Sequence, residues 1–359
     1  MVRSARRLRV LHVMGRMAPA GTEHQLAGML EVAHGRRWDA TLCVLRPGDN
    51  VLTRRIVAVG VPIVQPSVEG THPLLVAAGL RQLARRGGFD VVHPSLWGAS
   101  AVTRACVGGG RRPAVVMSER RVEHFRAGHR RLLDRALRRR TDGWIGNSED
   151  VVAFIRQAHG AAVDRVRLVP NGIDRGVFYP VSKPRPRAGR RLRIGAVGRL
   201  VHQKGFDVLI DALPCVLAEH DVEVEIAGQG ELRDVLITRA AGLPVTFIGL
   251  LDEPKRVGDF LRSLDLFVMP SRYEGRPNAA IEAAACGLDI VATDAPGMRA
   301  ALGSLATVAP EDPRALAEAI VIALRDGIAA PVAEVPDFEQ VADAHLRAFE
   351  AALSRRRKG

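Results

Sequence analysis

The sequence predicts an α/β protein made of two successive parallel-sheet domains, and three observations carry that prediction. Short β-rich runs alternate with helix-length segments along most of the chain. The alternation stops once, in a Pro- and Arg-rich stretch, and then restarts. The 359 residues exceed what one compact domain usually holds. Apolar residues make up 47% and charged residues 25%, enough for real cores; with only 4% aromatics, those cores must be aliphatic.

In chain order, Leu8–Met14, Ala40–Leu45, Val61–Gln65, Asp90–His93, Ala114–Met117, Gly143–Gly146 and Val166–Val169 read as strands. Between them, Glu23–His34, Leu74–Arg86 and Val122–Arg140 have helix length and pattern. Such alternation implies a parallel sheet covered by helices on both faces. Pro180–Arg193 has neither period and reads as a linker. Strands resume at Leu192–Val197, Val222–Ala227, Val245–Ile248, Leu266–Met269, Ile290–Thr293 and Ala306–Val308, most of them followed by helical segments. A last helix runs from about Phe338 to Leu353 and ends in a basic tail. The domains are therefore expected at 1–178 and 193–337, with a linker over 179–192 and a terminal helix over 338–359. Two Rossmann-like domains facing each other would leave a cleft at the carboxyl ends of both sheets, the usual place for a ligand.

Charge is unevenly spread. Residues 1–178 carry 29 Arg and Lys against 14 Asp and Glu, whereas residues 194–359 carry 17 against 25. A basic first half suits an anionic partner such as a phospholipid surface, a phosphorylated acceptor or nucleic acid. A solvated surface in an Arg-rich, GC-rich coding background explains any single arginine run equally well, since only four residues are Lys. Cys43, Cys106, Cys215 and Cys286 are far apart, which argues against a zinc site or disulfide framework and fits a reducing cytosol. The apolar run after the basic Met1–Arg9 is too short for a signal peptide or membrane span. The expected location is cytoplasmic, with any membrane contact peripheral.

The strongest chemical signal is Ser271-Arg-Tyr-Glu274-Gly-Arg-Pro-Asn-Ala-Ala-Ile-Glu282, directly after an apolar strand. A helix starting near Pro277 would offer free N–H groups to a phosphate, and Gly275 would let the backbone approach it. Glu274 in the loop and Glu282 in the helix are carboxylates able to accept bonds from sugar or ribose hydroxyls. A surface loop with two solvated glutamates would explain either one alone, but not the whole string. The second signal is Gly198-Arg199-Leu-Val-His-Gln-Lys204-Gly205, after the first strand of the second domain. Its two cations suit a diphosphate clamp, although exposed basic pairs are common in this chain. A weaker signal is Pro19-Ala-Gly21-Thr22-Glu23, a turn into a helix that Thr22 could cap.

These strings occur together with Asp90-Val-Val-His93, Asn147-Ser148, Pro170-Asn-Gly-Ile-Asp174, Ala227-Gly-Gln-Gly230, Phe247-Ile-Gly249 and Ala285-Cys-Gly-Leu-Asp-Ile-Val-Ala-Thr. In that order the chain resembles glycosyltransferase family 4, retaining enzymes of the GT-B fold, over nearly its whole length. The resemblance implies that Arg199 and Lys204 bind the donor diphosphate, that Glu274 contacts the donor sugar and that Glu282 holds the ribose. It implies that the backbone of Arg276, Pro277 and Asn278 cradles sugar and phosphate, and that Gly21 belongs to a loop closing over the donor. The donors would be UDP- or GDP-sugars, with no cofactor and no metal, and the final helix would pack back on the first domain.

The chain departs from the family at several points. Ala20 stands where the first of two loop glycines is common, and Met117-Ser118-Glu119-Arg120 replaces a segment that often holds a histidine. Asp289 and Pro296-Gly297 replace a usual Pro and Gly-Gly, and Ser95 replaces a second histidine after His93. His93, Glu119 and Arg120 are therefore the acceptor-side candidates. The expected activity is retaining transfer of a sugar to a glycan or lipid-linked acceptor in cell-surface polysaccharide, lipopolysaccharide or glycolipid synthesis. The alternatives are a nucleic-acid or anionic-surface binder and an inactive relative. Arg130-Arg131…Arg138-Arg-Arg140 lacks the interleaved aromatics of single-strand binders, so nucleic acid is not the expected partner.

Overall fold

The structure, a computed structural model, describes residues 6–18, 20–46, 48–66, 72–109, 113–120, 122, 128–180, 189–274, 277–295, 298, 302, 306–327 and 335–358. The chain divides into two compact units, Met1–Gly172 with Pro336–Gly359, and Ile173–Val335.

In the first unit, β1 (Leu8–Met14), β2 (Trp38–Val44), β3 (Ile63–Val64), β4 (Val91–Pro94), β5 (Ala114–Glu119), β6 (Gly143–Gly146) and β7 (Val166–Leu168) form one parallel sheet in the order β3-β2-β1-β4-β5-β6-β7. The strand order reverses between β1 and its two neighbours, as in doubly wound sheets. Register follows the apolar pattern, with Val10 opposite both Ala40 and Val91. Helices α1 (Gly21–Ala33), α2 (Val51–Ala58), α3 (Pro73–Arg86), α4 (Trp97–Cys106), α5 (Gly128–Leu137) and α6 (Glu149–His159) cover the faces. One core joins Val10, Leu26, Leu30, Leu42, Leu52 and Ile56, and another joins Leu11, Val13, Leu80, Val92 and Ala99. Alternate residues of β1 thus point to opposite faces.

In the second unit, β8 (Leu192–Val197), β9 (Val222–Ala227), β10 (Val245–Gly249), β11 (Leu266–Met269), β12 (Asp289–Thr293) and β13 (Ala306–Val308) run parallel in the order β10-β9-β8-β11-β12-β13. They alternate with α7 (Phe206–Leu217), α8 (Arg233–Arg239), α9 (Pro254–Ser263), α10 (Asn278–Ala285) and α11 (Pro313–Asp326). Two aliphatic cores flank this sheet as well.

Several expectations are corrected. Ile173–Phe178, read as the end of the first domain, belongs to the second unit, because Ile173 and Phe178 bury among Phe260, Leu261 and Leu264. Most of the expected linker, residues 181–188, lies outside the described residues. Of the helix expected over Val122–Arg140, residues 123–127 lie outside the described residues, Gly128–Leu137 form α5, and a 3₁₀ turn follows over Arg138–Arg140. Thr22 does not cap α1. Its N-cap is Ala20, without a side-chain bond, and Thr22 sits inside the first turn.

The last helix, α12 (Phe338–Lys358), belongs to the first unit and packs on α1 and β5. Gly28 makes that contact sterically feasible: a Cβ there would lie 2.4 Å from the Phe338 ring. Around α12 the core holds three histidines with no exposed surface, His12, His93 and His345, beside Trp38 and Phe349. The Trp38 indole N–H donates to His12 Nε2 at 3.1 Å, so the His12 proton sits on Nδ1, 3.0 Å from His93 Nδ1. His93 then donates from Nε2 to Ser118 Oγ at 2.8 Å. Burial pushes His12 and His345 down to about 3 and His93 well below its ordinary value, so all three are neutral.

In the unfolded chain these rings take up protons near pH 6.5, whereas in the fold they resist it. Their contribution to stability is therefore present above that pH and lost as pH falls below it. The denaturant midpoint of the first unit is expected to drop from about pH 7.5 to about pH 5. A His345→Asn variant, which keeps a donor for Val341 O but cannot titrate, should lose less over the same interval.

Candidate active site

The residues singled out in the second half of the sequence meet at the carboxyl end of β8 and β11. The loop after β8 runs through Gly198 and Arg199 into a 3₁₀ turn, His202–Lys204. Gly205 ends that turn at φ +65, and a Cβ there would lie 2.0 Å from Pro270 O, so the position accepts only glycine. A Cβ at Gly198 would lie 3.1 Å from Lys204 Cε, so this glycine lets the lysine stem lie across the strand end.

Lys204 Nζ reaches Glu274 Oε1 at 2.6 Å, and Ser271 Oγ donates to the same oxygen at 2.8 Å. The two side chains are 16% and 6% exposed, so the pair is largely withdrawn from water. A pair of this kind repays its desolvation only when its geometry is fixed. Arg199 stands on the same loop with its side chain exposed, and that side chain forms no hydrogen bond or ion pair among the described residues. Pro277 is the N-cap of α10 rather than its first residue, and Asn278 opens the helix. Gly275 and Arg276 lie outside the described residues. Glu282 is half-buried one turn into α10, and burial of its carboxyl pushes its pKa up to about 7.

Sequence reasoning missed the residue that ties the two loops together. The Arg272 guanidinium donates to both Asp207 oxygens at 3.0 and 2.8 Å, to Glu311 Oε1 at 2.8 Å and to His202 O at 2.7 Å. Its own N–H donates to Gln203 O at 2.8 Å, and Gln203 Nε2 donates to Tyr273 O at 2.8 Å. The bond to Asp207 above all holds the arginine charged, and the same bond holds the Asp207 carboxyl below its usual range. Arg272 thus staples the Lys204 turn to the Glu274 loop. An arginine directly after Ser271 was the only signal in sequence, and its partners are distant in the chain.

In the first unit, Gly21 is the exposed first residue of α1. His93 is enclosed in the core between His12 and Ser118, so it meets a ligand only through those neighbours. Glu119 is buried at the end of β5, 3.4 Å from His159 Nε2. Arg120 is 8% exposed and donates to Asn171 Oδ1 at 3.2 Å, while Asn147 Nδ2 donates to Arg120 O at 3.2 Å. The structure therefore brings Arg120, Asn147 and Asn171 together past the ends of β5, β6 and β7, and α1 pins the adjoining Gly172 through Gln25, whose Nε2 donates to Gly172 O and whose Oε1 accepts from Gly172 N–H. Among the described residues no group of three or more His, Cys, Asp or Glu is placed to hold a metal ion. No helix among them is long and apolar enough to cross a membrane.

Two parallel units with a cation and a carboxylate paired at the carboxyl end of the second sheet define the class of two-domain Rossmann-like α/β proteins. The chain belongs to glycosyltransferase family 4. Residues 19–177 match the family described as Glycosyltransferase Family 4, and residues 191–326 match Glycosyl transferases group 1. A glycogen synthase of Mycobacterium tuberculosis is 33% identical over 200 residues, covering 54% of this chain and 48% of that protein. A GDP-mannose-dependent alpha-(1-6)-phosphatidylinositol dimannoside mannosyltransferase of the same species is 36% identical over 129 residues, or 34% of each chain. The matched segments therefore span half or less of these relatives. The crystal structure of Anabaena Alr3699/HepE with UDP and glucose is similar in fold, with a TM-score of 0.72 at 19% identity, covering 97% of this chain and 95% of that one. These are the two Rossmann-like sheets expected of the GT-B fold.

Removing the staple should loosen both loops. Arg272→Ala is expected to lower the thermal unfolding midpoint in calorimetry, because it leaves Asp207 without its bidentate partner, with Arg272→Lys recovering only part. Glu282 gives a pH signature. Burial pushes its carboxyl pKa up to about 7. Because the folded pKa is raised, ionisation costs stability as pH rises through that value, and Glu282→Gln should unfold later than the parent above it.

Proposed function

We propose that the protein is a retaining glycosyltransferase that moves a sugar from a UDP- or GDP-linked donor to a glycan or lipid-linked acceptor in cell-surface polysaccharide, lipopolysaccharide or glycolipid synthesis. The single observation that carries this reading is the Lys204–Glu274 contact at the carboxyl end of β8 and β11. It sets a cation for phosphate next to a carboxylate for sugar hydroxyls.

The donor is assigned to the second unit. Arg199 and Lys204 take the diphosphate, and the Asn278 end of α10 adds N–H groups to it. The free oxygen of Glu274 accepts from the sugar, and Glu282 accepts from the ribose. As the bond from the anomeric carbon to the diphosphate breaks, its electron pair moves onto the leaving phosphate oxygen. The acceptor hydroxyl attacks from the same face, forms the new C–O bond and passes its proton to that oxygen. The cations are worth most at this point, because negative charge on the leaving group is then greatest. In this reading they take the place of a metal ion. The acceptor is assigned to the first unit, with Arg120 beside Asn147 and Asn171 and with Glu119 and His93 in supporting places, while Gly21 belongs to the loop that closes over the donor. Relatives that act on glycogen and on a phosphatidylinositol mannoside support a glycan or lipid-linked acceptor. A structural neighbour with bound UDP and glucose supports a nucleotide donor.

Thermal-shift and calorimetric titration with UDP, GDP and their sugars test the reading, since a ligand of the folded state raises stability with the logarithm of its concentration over Kd. No stabilisation by any of them would overturn it. Lys204→Ala and Arg199→Ala should each lower turnover roughly 10²–10³-fold, the scale of one lost preorganised stabilising group. Near-parental rates in both variants would remove the clamp.

A further inference from the structure

The arginine-rich segment of the first unit is not used by the transfer chemistry. Residues 128–140, spanning α5 and its 3₁₀ turn, hold six arginines and one acid, Asp134. That acid is turned inward and fully buried, and its charge is met from beneath by Arg104, which donates to Asp134 Oδ1 and to Asp134 O, each at 2.8 Å. The outer face of the helix therefore shows no carboxylate. Arg131, Arg135 and Arg139 are exposed there and join no ion pair among the described residues. Arg130 lies over the Trp97 ring at 4.4 Å, and Arg140 donates to Ala105 O at 2.6 Å, so these two fasten the segment to α4. On the same outer side, between Arg131 and Arg135, Leu132 is 70% exposed, and Leu133 on the flank of the helix is 39% exposed. Glu149 and Asp150, exposed at the start of α6, are too few to cancel this charge.

A solvated face alone would not need two leucines in water, and no aromatic side chain lies between 128 and 140 for a base to stack on. We propose that the outer face of α5 is a contact surface for an anionic phospholipid bilayer. Arg131, Arg135 and Arg139 engage headgroup phosphates, while Leu132 enters the boundary of the acyl region. Burial of Asp134 over Arg104 removes the one charge on α5 that the bilayer would repel. This inference stands apart from the transfer reading, since neither the donor site nor the acceptor cluster contributes to it.

The test is co-sedimentation of the full chain with vesicles of phosphatidylglycerol and phosphatidylcholine, against vesicles of phosphatidylcholine alone, at low and at physiological salt. Binding is expected to the anionic vesicles and to weaken with salt. Arg131→Glu with Arg135→Glu should lower partitioning at least about 25-fold, near fivefold for each arginine close to an anionic surface. Leu132→Ser, which leaves the charge unchanged, should also lower it. Circular dichroism and UDP or GDP calorimetry on the same variants show that they are folded and keep the donor question separate. The proposal falls if the parent stays in the supernatant with anionic vesicles at low salt, or if the charge-reversed variant binds them as the parent does. It also falls if Leu132→Ser has no effect while duplex DNA binds with a steep salt dependence.

Discussion

The second unit is organised around one interaction, the ammonium of Lys204 held against the Glu274 carboxylate with little access to water. Two opposite charges so placed attract strongly, yet each has given up its hydration, and the balance is favourable only where neither can move away. Glycine at 198 and at 205 and the Arg272 staple are what hold them. The lysine stem needs the bare backbone of Gly198, the turn behind it needs the left-handed Gly205, and the Glu274 loop is fixed to that turn through Gln203, Tyr273 and Arg272. Such a pair is preorganised in the sense that matters for charge-separating chemistry. Its dipole stands in place before a ligand arrives and need not be reorganised as charge develops.

This arrangement separates structural cations from cations left for a ligand. Arg272, Arg193, Arg190 and Arg239 all lie in the second unit, and each gives its charge to carboxylates of that unit. Among the described residues Arg199 does not, and Lys204 gives its charge to a group that itself suits a sugar. The net negative charge of residues 194–359 therefore coexists with a locally cationic loop. The overall count says little about the site, since arginines such as Arg239 and Arg272 that enter it are already paired with carboxylates.

Much of the fold was legible because strands buried on both faces are near-continuous apolar runs, and β1, β6, β8, β9, β11 and β13 coincide with the runs read from sequence. The ends were less legible, because they depend on where hydrogen-bonding partners stop. Val61–Gln65 shrinks to Ile63–Val64 since only Leu42 and Cys43 pair with it. Thr22 looked like a cap, but the helix begins one residue before it. The paired charges of the site could be singled out because each stands in a short string after a strand. Arg272 could not, since Asp207 and Glu311 are 65 and 39 residues away. The same holds for His93: its string places it at a strand end, but only the packing of α12 shows that it is enclosed.

The two units solve the problem of polar groups inside a core in different ways, and the difference bears on what each can offer a ligand. Behind β1 and β4 the first unit uses neutral rings in a donor-to-acceptor chain from Trp38 through His12 and His93 to Ser118, which costs no charge burial. On the helix-covered side of β5 it uses a buried ion pair, Arg104 with Asp134, with His159 and Glu119 beside it. The first set is closed by contacts within the unit, and in the second His159 Nδ1 has no hydrogen-bond partner among the described residues. What lies past the strand ends is a guanidinium between two amides, Arg120 with Asn147 and Asn171. That chemistry donates hydrogen bonds and positive charge, whereas the strand ends of the second unit add two carboxylates to their cations. An oxygen-rich or phosphorylated group suits the first set, and a molecule carrying both phosphate and hydroxyls suits the second.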